Sequence, residues 1–260
     1  MVLNKVASET NSEDMKQVAN TVEGPSLSSD QKESNEQVTD ISECPPAKVI
    51  LGKSLPRSGH HFLVRLLASY LKADFRYCEI YTNADCCQLQ PCKYDYPGLL
   101  FIQKSHDFKL EDTIPEDCRF LIQYRHPIPR LFSDWKLAVS SREDLENSFE
   151  NFVKFSRNRK RYYVDFFKKW VIPFQDDDNF FMMSYEALTG ETFDTLKRFL
   201  QFSLGEDFEV SREPLENKGM SVILPPHLSN HEYYDVEFLA EYQDSIIEQV
   251  PDLPYLPLKL

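Results

Sequence analysis

One stretch limits what this chain can fold into more than any other. Lys48-Val-Ile-Leu-Gly-Lys-Ser54 reads as a strand buried on both faces, and it runs through the turn Leu55 to Gly59 directly into helical periodicity over His60 to Leu71. Strand, basic turn and helix in that order place Arg57, Ser58 and Gly59 where the first N–H groups of a helix lack partners and its dipole favours negative charge. Two more short apolar runs, Leu99 to Gln103 and Arg119 to Tyr124, end in Lys104-Ser105-His106 and in Arg125, which stands eight residues before Ser133. In open α/β sheets ligands sit beyond the carboxyl ends of the strands, so these three endings point at one crevice. The ordered set suggests a doubly phosphorylated nucleotide held beside a general base.

The expected fold is therefore α/β: a three-layer sandwich with a central parallel sheet and a P-loop-like phosphate-binding turn. Helices are expected over Pro129 to Ser140, Asp144 to Phe155, Asn158 to Val171, Thr192 to Phe202 and Glu232 to Gln249, with a further strand over Asn179 to Ser184. Residues 1–46 are rich in Ser, Glu, Asp, Asn and Gln and end at Pro45-Pro46, a composition too poor in large apolar groups to offset its ordering entropy. They read as a disordered tail, leaving residues 47–260 as one domain. With 42% hydrophobic and 13% aromatic residues the chain can build a substantial core.

The formal charge of -13 argues against coating nucleic acid or an anionic membrane, so any anion site must be a local basic pocket. No apolar run approaches ~20 residues, and the N-terminus lacks a basic-then-apolar pattern; a soluble, cytoplasmic protein is expected. Six cysteines fit a reducing compartment, and the patch Cys78, Cys86, Cys87 and Cys92 contains no Cys-x-x-Cys pair of the kind that holds zinc. Arg157, Arg159, Lys160 and Arg161 read as a solvated helix face, and Tyr162, Tyr163, Phe166, Phe167 and Trp170 as core.

Gly52-Lys53-Ser54 repeats the end of a nucleoside-triphosphate P-loop, but Ala47 stands where that pattern needs glycine, and the tripeptide lies within the strand. The chain instead resembles sulfotransferases that use 3'-phosphoadenosine 5'-phosphosulfate (PAPS). Pro56-Arg57-Ser58-Gly59 matches the family's 5'-phosphosulfate loop, Lys104-Ser105-His106 its Lys-Thr/Ser-His motif, and Arg125-His126-Pro127 with Ser133 its 3'-phosphate motif. Tyr185-Glu186 is similar to a further signature, and the resemblance spans residues 48 to about 220. His60-His61 replace the usual hydroxyl residues, Phe62 replaces a tryptophan that stacks on adenine, and Asn217-Lys218-Gly219 stands for Arg-Lys-Gly.

The resemblance implies sulfuryl transfer from PAPS to a hydroxyl of a carbohydrate or other small molecule, without a metal, releasing 3',5'-diphosphoadenosine. It implies His106 as general base, Lys104 and Arg57 at the leaving oxygen, and the amides of Ser58, Gly59, His60 and His61 at the 5'-phosphate. Phe62, Arg125, Ser133, Tyr185, Lys218 and Gly219 complete the expected nucleotide contacts. Two other classes stay open: a non-catalytic nucleotide-binding module with a centre altered by His60-His61, and a nucleotide kinase requiring magnesium. The family's C-terminal dimer motif is absent, which leaves the oligomeric state open.

Overall fold

In the computed structural model, residues 48–80, 89–92, 96–115, 118–211 and 231–251 are described. The expected tail, Cys86, Cys87, Lys218 and Gly219 lie outside them. Five strands, β1 (Lys48–Ser54), β2 (Phe75–Glu79), β3 (Leu100–Ser105), β4 (Arg119–Tyr124) and β5 (Phe180–Ser184), pair in parallel in the order β2-β3-β1-β4-β5. The chain leaves β1 for one side of the sheet and crosses to the other between β3 and β4. The carboxyl end of β1 is thus the switch point, with the ends of β3 and β4 on either side of it.

Side chains alternate across the sheet with a period of two. Leu51, Phe120, Ile122 and Phe180 pack against α2 (Pro127–Ser141), α3 (Phe149–Phe166) and, through Leu239, Tyr242 and Ile246, α6 (Val236–Ile247). Ile50, Leu100, Ile102, Leu121 and Met183 face α1 (His60–Leu71), α4 (Tyr185–Gly190) and α5 (Thr192–Leu204). The expected three-layer sandwich is what forms. Among the described residues no helix is long and apolar enough to cross a membrane.

One expectation about elements is corrected, and one strand is added. The helices expected over Asp144 to Phe155 and Asn158 to Val171 are one: α3 is capped by Ser148, whose side chain accepts from Asn151 N, and runs on into a π-helical turn at Phe167–Val171. Ser156 does not break it, because its hydroxyl donates to Val153 O at 2.8 Å and the side chain is buried against the helix. The added strand is β2, an edge strand whose sequence Phe-Arg-Tyr-Cys-Glu carries too short an apolar run to be read in advance.

The π-helical turn positions the site. It brings Lys169 Nζ and Trp170 Nε1 onto Asp107 Oδ2 at 2.7 and 2.8 Å, while Asp107 Oδ1 accepts from Asp112 N at 3.0 Å. Asp107 is 2% exposed with a left-handed φ of 46° and directly follows His106, so the network clamps the exit of β3. Replacing Trp170 with Phe leaves a buried carboxylate oxygen short of one donor and should cost about 1–3 kcal/mol. Urea unfolding of the variant checks this.

Candidate active site

The turn after β1 takes its shape from two left-handed residues, Arg57 at φ 68° and Gly59 at φ 87°. Only glycine fits at 59: a Cβ there would lie 2.5 Å from the Tyr185 ring. Ser58 is fully buried and spends its hydroxyl and its N–H on Leu55 O, at 2.6 and 3.2 Å. It therefore shapes the turn, while the N–H groups of Gly59, His60 and His61 have no acceptor among the described residues. Arg130, buried on α2, holds the turn from behind through Nε to Pro56 O at 3.1 Å.

Arg125 leaves the end of β4 beneath this turn. It is 7% exposed, yet among the described residues it forms no ion pair, and its Nε has no hydrogen-bond partner. Its guanidinium lies 4.2 Å from the Tyr185 ring centroid and donates only a 3.4 Å bond to Arg57 O. Arg57 Nε in turn donates to Ser133 Oγ at 2.9 Å, joining the turn to α2. The backbone of both motif endings is fixed by neighbouring tyrosines of α3: Tyr162 OH donates to His106 O at 2.6 Å and Tyr163 OH to Arg125 O at 3.0 Å. Tyr163, Phe166, Phe167 and Trp170 are core, as expected, and Tyr162 borders it.

At the end of β3, Lys104 Nζ donates to Glu79 Oε1 at 2.6 Å and to His106 Nε2 at 2.5 Å, with His60 Nε2 at 3.3 Å. His106 Nδ1 lies 2.6 Å from Ser54 O, and a carbonyl can only accept, so Nδ1 carries the proton and Nε2 the lone pair. Burial, reinforced by Lys104, lowers the His106 pKa to about 4. Burial also lowers Lys104 to about 8 against the opposing pull of Glu79. Glu79 belongs to unpredicted β2, which is why the sequence reading missed it.

A cavity of about 790 Å³ is lined by Arg57, Gly59, His60, His61, Phe62, His106, Arg125, Ser133 and Tyr185. Ser58 and Lys104 stand behind this lining. Glu79, Lys136 and Arg159, from the segments 76–97 and 136–161 where an acceptor pocket is expected, also line the cavity, and Arg65, Phe108 and Asp134 line it without having been singled out in the sequence. Arg159 corrects the expectation of a solvated helix face: its Nε pairs with buried Asp134 at 3.0 Å, whereas Arg161 is 88% exposed as expected. His60, His61 and Glu79 present three metal-capable atoms within 4.8 Å of one another. Lys104, Arg57 and the N-terminus of α1 set positive charge around them, which opposes the binding of a metal cation.

Buried histidines make the fold acid-sensitive. His106 and His126 are both lowered to about 4 by burial, the latter helped by Arg125, so the native state stays unprotonated where the unfolded chain takes up protons near 6.5. Their stabilisation is complete above about pH 6.5 and falls away as pH drops toward 4. The His126→Asn variant should show a shallower fall of Tm across that window, measured by thermal unfolding.

No protein-family model and no curated protein sequence matches the chain. Solved structures do. The fold is similar to mouse sulfotransferase SULT7A1 complexed with PAP, at 13% identity and a TM-score of 0.59, covering 79% of this chain and 84% of that one. It is similar to retinol dehydratase in a complex with retinol and PAP, at 12% identity, a TM-score of 0.57 and coverage of 83% and 85%. Sulfotransferase STF9 from Mycobacterium avium aligns at 14% identity and a TM-score of 0.50, over 78% of this chain and 77% of that one. With its parallel sheet and its basic turn at the switch point, the chain carries the sulfotransferase fold.

Proposed function

We propose that the chain transfers a sulfuryl group from PAPS to a hydroxyl acceptor. The observation that carries this reading is Arg125: a guanidinium 7% exposed and without a carboxylate partner among the described residues is costly unless an anion completes it. Ser133 Oγ and the Arg57 side chain stand beside it, a set suited to the nucleotide's 3'-phosphate. The open N–H groups of Gly59, His60 and His61 at the start of α1 suit the 5'-phosphate. Phe62 and Tyr185 offer ring faces to the base, and Lys218 with Gly219 would add contacts from beyond the described residues.

PAPS supplies the activated sulfuryl group. As the acceptor oxygen bonds to sulfur, its proton passes to His106 Nε2, whose tautomer is set by the Nδ1 bond to Ser54 O. The bond from sulfur to the 5'-phosphate oxygen breaks, and that oxygen keeps the electron pair. Arg57 and Lys104 stabilise the charge developing there. The acceptor side of the cavity includes Phe108 and Leu137, 50% and 44% exposed, which favour a carbohydrate or other small hydroxyl compound with an apolar face.

Calorimetry should show metal-independent binding of 3',5'-diphosphoadenosine (PAP) in preference to AMP or magnesium-ATP, with Arg125→Ala weakening it roughly 10- to 100-fold. Preference for magnesium-ATP would favour a kinase. His106→Ala should abolish turnover of labelled PAPS while leaving PAP affinity within a few-fold. Binding of PAP with no sulfation of any acceptor by the wild type would favour a non-catalytic module.

A further inference from the structure

An ammonium has three N–H donors and no acceptor. All three of Lys104's are engaged: Glu79 Oε1 at 2.6 Å, His106 Nε2 at 2.5 Å and His60 Nε2 at 3.3 Å. His106 has its other nitrogen committed to Ser54 O, so the lone pair that faces Lys104 is the ring's only basic site. The anchor of this arrangement is Glu79. It lies directly across from Lys104 in the β2–β3 register, its Oε2 accepts from Tyr77 OH at 3.2 Å, and among the described residues it is the one carboxylate paired with Lys104.

We propose that Glu79 is a positioning residue for the transfer: it tethers Lys104 against His106 Nε2, so that the base stays capped until the leaving oxygen of a bound sulfuryl donor draws the ammonium away. The inference rests on the proposed transfer reaction. It gives Glu79 no proton to move; its part is to hold a cation where one displacement both frees the base and delivers positive charge to the leaving oxygen. A base so capped cannot activate an acceptor, or water, in a site lacking donor.

The charges around Lys104 identify Glu79 as the anchor. Glu79 from β2, His60 and His61 from α1 and His106 from the exit of β3 interact with Lys104, Arg57 from the turn acts on the two α1 histidines, and of these groups Glu79 alone is anionic. Glu79 opposes the burial that lowers both Lys104 and His106. Its removal should therefore shift both titrations to lower pH.

Nitrogen-15 imidazole NMR of the nucleotide-free protein tests the tether. In the wild type, the His106 Nε2 resonance should be that of a lone pair accepting a hydrogen bond. In Glu79→Gln it should move downfield, toward a free acceptor, and the ring should titrate at lower pH; Lys104→Met should produce the same downfield move should the first variant fail to fold. Saturating PAP on the wild type should also move it downfield. Identical Nε2 resonances in wild type and variant, or no response to bound PAP, overturn the proposal. Failure of the wild type to bind PAP in calorimetry would instead overturn the functional reading, while the nucleotide-free comparison still decides the tether.

Discussion

A guanidinium buried without an ion-pair partner among the described residues is the constraint around which this molecule is organised. Burial of Arg125 at the end of β4 is eased by the Tyr185 ring that lies against it, by Arg57 O, which accepts from it, and by the charge of Glu186 nearby. The acidic chain makes this more pointed. At a formal charge of -13 there are carboxylates in abundance, yet none pairs with Arg57 or Arg125 among the described residues, while Lys104, Arg130 and Arg159 each have one. The cations thus fall into two groups, those with a carboxylate partner among the described residues and those without one.

Keeping that arrangement rigid falls to the elements behind it. Arg130 ties α2 to Pro56, Tyr162 and Tyr163 hold the carbonyls of His106 and Arg125, and the π-helical turn locks Asp107. An extra residue in the helical turn turns Lys169 and Trp170 toward the β3 exit, the kind of position where such turns concentrate. The preorganisation is inexpensive in entropy because ring hydroxyls and strand termini supply it, with few long flexible side chains involved.

The sheet was legible in the sequence because its central strands are buried on both faces and read as unbroken apolar runs; β1 and β4 match the sequence reading residue for residue. Edge strand β2 was not legible, since half its pattern faces away from the core, and Glu79 was lost with it. The site residues at strand ends could be read because the parallel topology forces them together. Long-range partners could not: nothing in residue order says that Asp134 meets Arg159 or that Lys104 lies between Glu79 and His106. Ser58 shows the reverse limit, being correctly placed in the turn but turned inward onto Leu55 O.

The most direct test of the account is a crystal structure of the protein grown with PAP. The account predicts the 3'-phosphate within hydrogen-bonding distance of the Arg125 guanidinium and Ser133 Oγ, and the 5'-phosphate on the N–H groups of Gly59, His60 and His61. Nucleotide bound elsewhere, or in this cavity with Arg125 still lacking an anion, would contradict it.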